Sequence, residues 1–242
     1  MAMTPEELVE RLRRVLPSGL HSVILYGSAA AGDHVQKRSD YNVLVVAERL
    51  GVAELKALAP VSAAWARQGN PPPLLFTPER LRKSADVFPL EILDIKQSRT
   101  VLLGDDIIEG LEVSGANLRL ELEHELKGKL IQLRERYLER GGKSRAVVEL
   151  LVKSYSTFSV LFRGALRLFG ADVPARKADV IQVLSRHIDF DADVFETVAA
   201  LRVGEMRTRD VDPDVLFERY LRAVEQVVDA VDNHPYGGKN HE

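Results

Sequence analysis

The sequence predicts an α+β fold, in which a mixed sheet with helices comes first and an all-α helical domain follows. Up to about residue 104, short runs rich in Val, Leu and Ile alternate with amphipathic stretches, and Gly or Pro separates them. After Ser114 the apolar residues recur at helical spacing. We therefore expect an α/β domain over residues 1–110, a helical domain over residues 111–232 and a disordered tail over residues 233–242.

The first helix is predicted from a capping pattern that precedes an apolar face. Thr4 occupies the N-cap position, Pro5 takes the first helical position, and Glu7 completes a capping box. Apolar residues over 8–16 recur at helical spacing, and Pro17 then ends the helix.

The rest of the first half is predicted to alternate strands with helices. Strands are predicted at residues 21–26, 41–47, 74–76 and 100–103. Helices are predicted over residues 52–68 and from Pro78, where Thr77 provides the N-cap. Strands separated by helices in this way indicate an α/β layer.

The second half is predicted to be helical. Two long amphipathic helices cover residues 117–140 and 146–169, and each is followed by glycine. Shorter helices begin near residues 176, 192 and 213. Aromatic residues of the second long helix recur at helical spacing, which favours a place in the core over a base-stacking role. They are Tyr155, Phe158, Phe162 and Phe169.

The composition excludes several kinds of site. The chain contains no cysteine, which rules out disulfides and thiolate metal sites. A net charge of -3 gives no broad attraction to nucleic acid or to an anionic membrane. No apolar run approaches the roughly 20 residues needed to span a bilayer, and the charged N-terminus is unlike a signal peptide. We expect a cytoplasmic protein with no membrane partner and no bulk binding to nucleic acid.

The residues that carry chemistry surround the first two predicted strands. The first strand ends in Gly27 and Ser28. Gly27 lets the backbone approach a ligand closely, and the Ser28 hydroxyl with the next N–H groups can hold phosphate oxygens. Asp40 and Asn42 begin the second strand and share one face, because strand side chains alternate. Two oxygen-bearing side chains beside a phosphate-binding turn predict a Mg²⁺ site.

The ordered combination resembles the signature of the polymerase-β-like nucleotidyltransferase superfamily. That signature is Gly-Ser, three residues and Gly, then a short gap, Ser-Asp-x-Asp and an apolar strand. The matching residues are Gly27, Ser28, Gly32, Ser39 and Asp40. An α/β core followed by a helical half is also similar to small nucleotidyltransferases that modify antibiotics or act as antitoxins.

The resemblance implies a reaction and its cofactors. In that family the two acids of Asp-x-Asp hold two Mg²⁺ ions on a nucleoside triphosphate, and a third acid on a nearby strand completes the site. An acceptor hydroxyl attacks the α-phosphorus and pyrophosphate leaves. The resemblance therefore implies Mg²⁺ or Mn²⁺, a nucleoside triphosphate as substrate or ligand, and a small molecule or protein as acceptor. We expect the cleft to lie between the α/β half and the helices after Ser114.

The sequence departs from the family pattern in its acids. Asn42 replaces the second Asp, and its neutral oxygen is a poor bridge between two metals. The strand at residues 74–76, where the third acid is expected, is wholly apolar. Glu79, Glu91 and Asp94 follow it and are the candidates for that acid, although acidic residues on helices are usually solvated.

Basic residues near the motif and in the helical half are further candidates for phosphate binding. Lys37 and Arg38 precede Asp40, while Ala31 stands where the family usually has Arg. The helical half adds Lys127, Lys129, Lys153, Arg163 and Arg167. Most helical Lys and Arg side chains are simply solvated, which weakens the case for each of them singly.

Three functions agree with these residues. The first is a nucleotidyltransferase-fold protein that binds a nucleoside triphosphate with Mg²⁺ and has weak or absent transfer. The second is an active enzyme that transfers a nucleotidyl group to a small molecule or protein. The third is an antitoxin-like interaction module. The expected site comprises Asp40 and Asn42 as catalytic and metal-binding residues, and Gly27, Ser28, Lys37 and Arg38 as nucleotide-binding residues.

Overall fold

The structure is a computed structural model, and it describes residues 3–30, 40–140, 143–174 and 177–235. The chain divides into two compact units, Met1–Ser114 and Gly115–Glu242. The expected domain bounds, residues 1–110 and 111–232, stay a prediction. Most of the predicted tail, residues 236–242, lies outside the described residues.

Within the described residues of the first unit, a mixed four-stranded sheet forms the centre. Its strands are β1 (Leu20–Tyr26), β2 (Asn42–Ala47), β3 (Leu74–Phe76) and β4 (Arg99–Gly104). Their order is β3-β2-β1-β4. Strand β1 pairs antiparallel with both β2 and β4, and β2 pairs parallel with β3. The predicted mixed sheet is therefore confirmed.

Helices cover both faces of this sheet. Helices α1 (Pro5–Val15) and α2 (Val52–Ala66) share one apolar cluster with alternate residues of β1 and β2 such as Val43. Helices α3 (Pro78–Ser84) and α4 (Pro89–Gln97) contribute to a second cluster with the intervening strand residues. Alternate side chains of a strand point to opposite faces, which explains why both central strands are almost continuously apolar.

Helix α4 is the main difference from the predicted elements. The sequence prediction contains no helix between residues 89 and 97, because proline usually interrupts a helix. Pro89 instead occupies the first turn, where a missing N–H removes no intrahelical hydrogen bond. Elsewhere the capping predictions are confirmed, since the Thr4 capping box and the Thr77 cap both form.

The described residues of the second unit form helices joined by loops, with no strand among them. Its helices are α5 (Gly115–Arg140), α6 (Ser144–Leu168), α7 (Lys177–Leu184), α8 (Asp193–Val203) and α9 (Pro213–Asp232). Helix α6 contacts the other four helices. Phe158, Phe162 and Tyr155 are buried, which confirms their predicted place in the core, while Phe169 is half-buried. No described helix is both long enough and apolar enough to cross a bilayer.

Candidate functional site

The site begins at the turn that ends β1. Residues Gly27–Ala29 form one 3₁₀ turn. Gly27 has a φ of +78°, a left-handed conformation that favours glycine. Its N–H donates to the Ser98 carbonyl at 2.9 Å, and the Ala30 N–H donates to the Gly27 carbonyl at 3.0 Å. The turn is therefore fixed to the residue that follows α4 and precedes β4.

Asn42 lies against this turn. It pairs with Tyr26 at the end of the β1–β2 ladder, directly before Gly27 in β1. A Cβ atom placed on Gly27 would lie 3.3 Å from Asn42 Nδ2, which is a tight contact. The half-buried Asn42 amide thus occupies the space that a side chain at position 27 would need.

Asp40 precedes β2, and its side chain is exposed. The residue after it, Tyr41, packs towards α2, where its ring centroid lies 5.9 Å from that of the buried Trp65. Leu44, two residues beyond Asn42, belongs to the apolar cluster of α3 and α4. Strand alternation therefore directs Asn42 to the α4 face of the sheet and Tyr41 to the opposite face.

Asn70 is a positioning residue that the sequence analysis missed. Its Oδ1 accepts a hydrogen bond from the Tyr41 N–H at 3.1 Å, and Asn70 is 9% exposed. The bond joins the loop before β3 to the segment between Asp40 and Asn42. In the sequence Asn70 stands immediately before three prolines, which indicates a loop but not its hydrogen-bond partner 29 residues away.

Two acidic residues of α4 lie near Tyr26, which neighbours Asn42 across the ladder. Burial raises the pKa of Tyr26, and the nearby carboxylates of Glu91 and Asp94 raise it further. Tyr26 packs against the α3–α4 cluster, and α4 contacts the 3₁₀ turn. Glu91 is exposed and Asp94 is half-buried. These acids therefore lie on the same sheet face as Asn42.

Glu79, the third acidic candidate, has a different environment. It is exposed on α3, and its carboxylate accepts a hydrogen bond from Lys83 Nζ at 2.6 Å. That bond lowers the pKa of Glu79. The α4 acids are the better placed candidates, because they lie beside the turn. All three residues of β3 are apolar.

Part of the expected site lies outside the described residues. This applies to Lys37, Arg38, Gly32 and Ser39, and nothing is described of the Ser28 side chain. No group of three or more His, Asp or Glu residues within the described ranges is arranged to hold a metal ion. The roles expected for these residues, and the expected position of the cleft, stay predictions.

Comparisons with known proteins bear on the fold. No protein-family model matches the chain, and no curated protein matches it. Among solved structures, the chain is similar to spectinomycin adenyltransferase AAD(9) from Enterococcus faecialis, solved with ATP and spectinomycin. The likeness has a TM-score of 0.54 and 11% sequence identity, over 93% of this chain and 99% of that chain.

The chain has the fold of the polymerase-β-like nucleotidyltransferases. This confirms the superfamily resemblance at the level of fold, including the mixed sheet and the helical C-terminal part. The residues of the sequence motif that the structure describes lie at the Gly27 turn and at the start of β2.

Proposed function

We propose that this chain binds a nucleoside triphosphate, together with Mg²⁺, at the Gly27 turn and the start of β2. The observation that carries the proposal is the close approach of Asn42 to a left-handed Gly27, in a fold shared with an ATP-bound adenyltransferase. A glycine in that conformation brings backbone close to a ligand, while the motif supplies oxygen ligands beside it.

The residues at the site suit one Mg²⁺ ion better than two. Mg²⁺ takes oxygen ligands and is commonly held by one or two carboxylates plus substrate phosphates. The Asp40 carboxylate is exposed and the Asn42 side chain adds a neutral carbonyl oxygen, so these two would hold the ion with the triphosphate. When bound, the ion would neutralise part of the phosphate charge.

The remaining residues of the motif would hold the phosphates. In this proposal Gly27 lets the backbone approach the phosphates closely, Ser28 supplies its N–H and hydroxyl, and Lys37 and Arg38 supply positive charge. Asn70 fixes the Tyr41 backbone, and through it the spacing of Asp40 from Asn42.

The same residues favour weak or absent nucleotidyl transfer. An amide at position 42 removes one negative charge from the site, which weakens its attraction for a divalent cation. Strand β3 supplies no acid, because all three of its residues are apolar. A general base would therefore have to come from elsewhere.

A second candidate is an active nucleotidyltransferase that takes its missing acid from α4. The position of Glu91 and Asp94 beside Tyr26, on the sheet face of Asn42, favours it. In this version one of the α4 carboxylates accepts the proton of the acceptor hydroxyl as that oxygen attacks the α-phosphorus of ATP and pyrophosphate leaves. The acceptor would be a small molecule or a protein.

Calorimetric titration of ATP tests the proposed site. With Mg²⁺ present, we expect Asp40→Ala to weaken ATP binding by at least about tenfold, because it removes the one charged ligand of the motif. Asp86→Ala, which removes another exposed acid before α4, is the matched control and should bind like the wild type. Equal ATP affinity in wild type and Asp40→Ala would exclude this site.

Pyrophosphate release separates the two candidates. With ATP, Mg²⁺ and a panel of hydroxyl acceptors, the first candidate predicts slow release or none. Fast release by the wild type that is lost in both Asp40→Ala and Glu91→Gln with Asp94→Asn would establish the second candidate instead.

A further inference from the structure

We propose that the helical unit carries a separate anion site, a cavity between α5 and α6 that binds a phosphate group. The cavity has a volume of about 110 Å³. Its polar lining comes from both helices: Lys129, Gln132 and Arg136 on α5, and Lys153, Ser154 and Thr157 on α6. Leu133, which is buried, is part of its apolar floor.

The cavity follows from the spacing of these residues along the helices. Lys129, Gln132 and Arg136 stand at positions i, i+3 and i+7, so they form one stripe on α5. Lys153 and Thr157 are four residues apart and form a matching stripe on α6. Because α5 and α6 pack against each other, the two stripes face one space.

Positive charge around this cavity is poorly compensated. Lys129 has only a loose ion pair, with its Nζ 3.9 Å from Glu125 Oε2. Arg136 and Lys153 form no ion pair with any carboxylate of the described residues, and no acid is among the described residues that line the cavity. By contrast, Lys127 on the same helix pairs with Glu123 at 2.6 Å and Asp232 at 3.0 Å. An anion would relieve the repulsion among the three cations.

Neutral donors complete the site. Ser154 Oγ lies 2.9 Å from the Leu151 carbonyl and 3.1 Å from the Tyr220 hydroxyl, so its proton is already engaged in the helical core. The side chains of Gln132 and Thr157 have no hydrogen bond to another described residue, so both can donate to a ligand. Arg and Lys with such donors are the usual ligands of phosphate oxygens.

The size of the cavity limits what it holds. Pockets for drug-sized ligands have volumes of about 300 to 1,000 Å³, well above this one. The cavity therefore takes a group as small as a phosphate but not a nucleoside. Its ligand is inorganic phosphate, pyrophosphate or a phosphate attached to a larger molecule that remains outside. The inference is independent of the proposed nucleotide site, since it uses only contacts within the helical unit.

Calorimetric titration of inorganic phosphate, at constant ionic strength in chloride, tests the inference. We expect saturable one-to-one binding by the wild type. The double variant Arg136→Gln with Lys153→Gln should weaken it by at least about tenfold, because two charge-assisted contacts are lost. Arg222→Gln, which removes an exposed charge of α9 paired with Glu218, is the control and should bind within about twofold of the wild type.

Three results would overturn the inference. They are absence of phosphate binding by the wild type, equal binding by the double variant, and an equal loss in Arg222→Gln. Both exchanged side chains are exposed, so the double variant should fold; its melting temperature without phosphate checks this. Thr157→Val gives an independent variant, and it should weaken phosphate binding without removing any charge.

Titration of ATP distinguishes the sources of the phosphate. If the double variant loses phosphate binding but keeps ATP binding, the ligand is free phosphate or a small phosphorylated molecule. If both are lost, the cavity binds ATP itself through one of its phosphate groups. Failure of the nucleotide proposal would appear separately, as ATP binding that does not depend on Asp40 while phosphate still binds the cavity.

Discussion

The two faces of the sheet differ at one end. The face towards α1 and α2 remains apolar up to Tyr41, whose ring lies beside Trp65. The face towards α3 and α4 is equally apolar at its centre, but beyond Leu44 it carries Asn42 and the acids of α4. Under the proposed function, the face towards α1 and α2 contributes stability, whereas the end of the other face would also supply the nucleotide site.

Replacing Trp65 tests the face towards α1 and α2 and should have the largest effect. Trp65 is 0% exposed, so Trp65→Ala should lower the free energy of unfolding by about 3–5 kcal/mol. Glu91→Ala, on the exposed surface of α4, should change it by less than about 0.5 kcal/mol. Urea denaturation measures both values. Comparable losses in the two variants would erase the distinction between the faces.

Replacing Asn70 tests how the start of β2 is fixed. Asn70→Ala leaves the Tyr41 N–H without its acceptor, which should destabilise the protein by about 1–3 kcal/mol. Asn70→Asp keeps an oxygen at that position and should restore part of the stability. We also expect Asn70→Ala to weaken ATP binding, and Asn70→Asp to recover it. An Asn70→Ala variant with unchanged stability would show that the bond contributes nothing.

Two glycine variants isolate the contact between Gly27 and Asn42. Gly27 and Gly69 both have positive φ, +78° and +88°, so alanine at either position should cost about 1–2 kcal/mol. Only at position 27 does the added Cβ meet a neighbour, Asn42 Nδ2 at 3.3 Å. Thermal unfolding should therefore show a greater loss of stability for Gly27→Ala than for Gly69→Ala. ATP affinity should fall in Gly27→Ala and stay unchanged in Gly69→Ala. The opposite order would contradict the close approach.

The smallest expected effect concerns the ionisation of Tyr26. Its pKa is raised in the folded protein, so above pH about 10 the unfolded chain loses this proton first. The folded state then binds more protons, and stability falls as pH rises towards the folded pKa. Tyr26→Phe should reduce that fall. Ultraviolet titration should show Tyr26 ionising at lower pH in the double variant Glu91→Gln with Asp94→Asn. An unchanged titration would show that the two α4 carboxylates do not affect the pKa of Tyr26.

Local sequence signals were sufficient to predict much of the fold. The Val-rich run at Asn42–Ala47 and the cap at Thr4 each depend on neighbouring residues, and the structure confirms both elements. Helix α4 was missed because Pro89 suits a helix start as well as a break. Local sequence patterns therefore predict most of the helices and strands, whereas Pro89 can either begin or interrupt a helix and led to the omission of α4.

The site was only partly predictable, because its remaining residues meet through tertiary contacts. Nothing near Asn70 in the sequence indicates a hydrogen bond to Tyr41. The acids of α4 resemble ordinary surface residues until the fold places them beside Tyr26. Likewise, Arg136 and Lys153 each resemble an ordinary solvated side chain of a helix. They form a candidate site only because the packing of α5 against α6 brings them to one cavity.

The most direct test of the central claim is the effect of Mg²⁺ on ATP affinity in wild type, Asn42→Asp and Asp40→Ala, measured by calorimetry. If nucleotide binds at the Gly27 turn with one charged metal ligand, Mg²⁺ should strengthen ATP binding by at least about tenfold in the wild type. In Asn42→Asp, which adds a second carboxylate, Mg²⁺ should strengthen ATP binding by a further factor of about ten. In Asp40→Ala, Mg²⁺ should leave ATP affinity unchanged. An identical Mg²⁺ effect in all three proteins would place the nucleotide elsewhere and contradict the account.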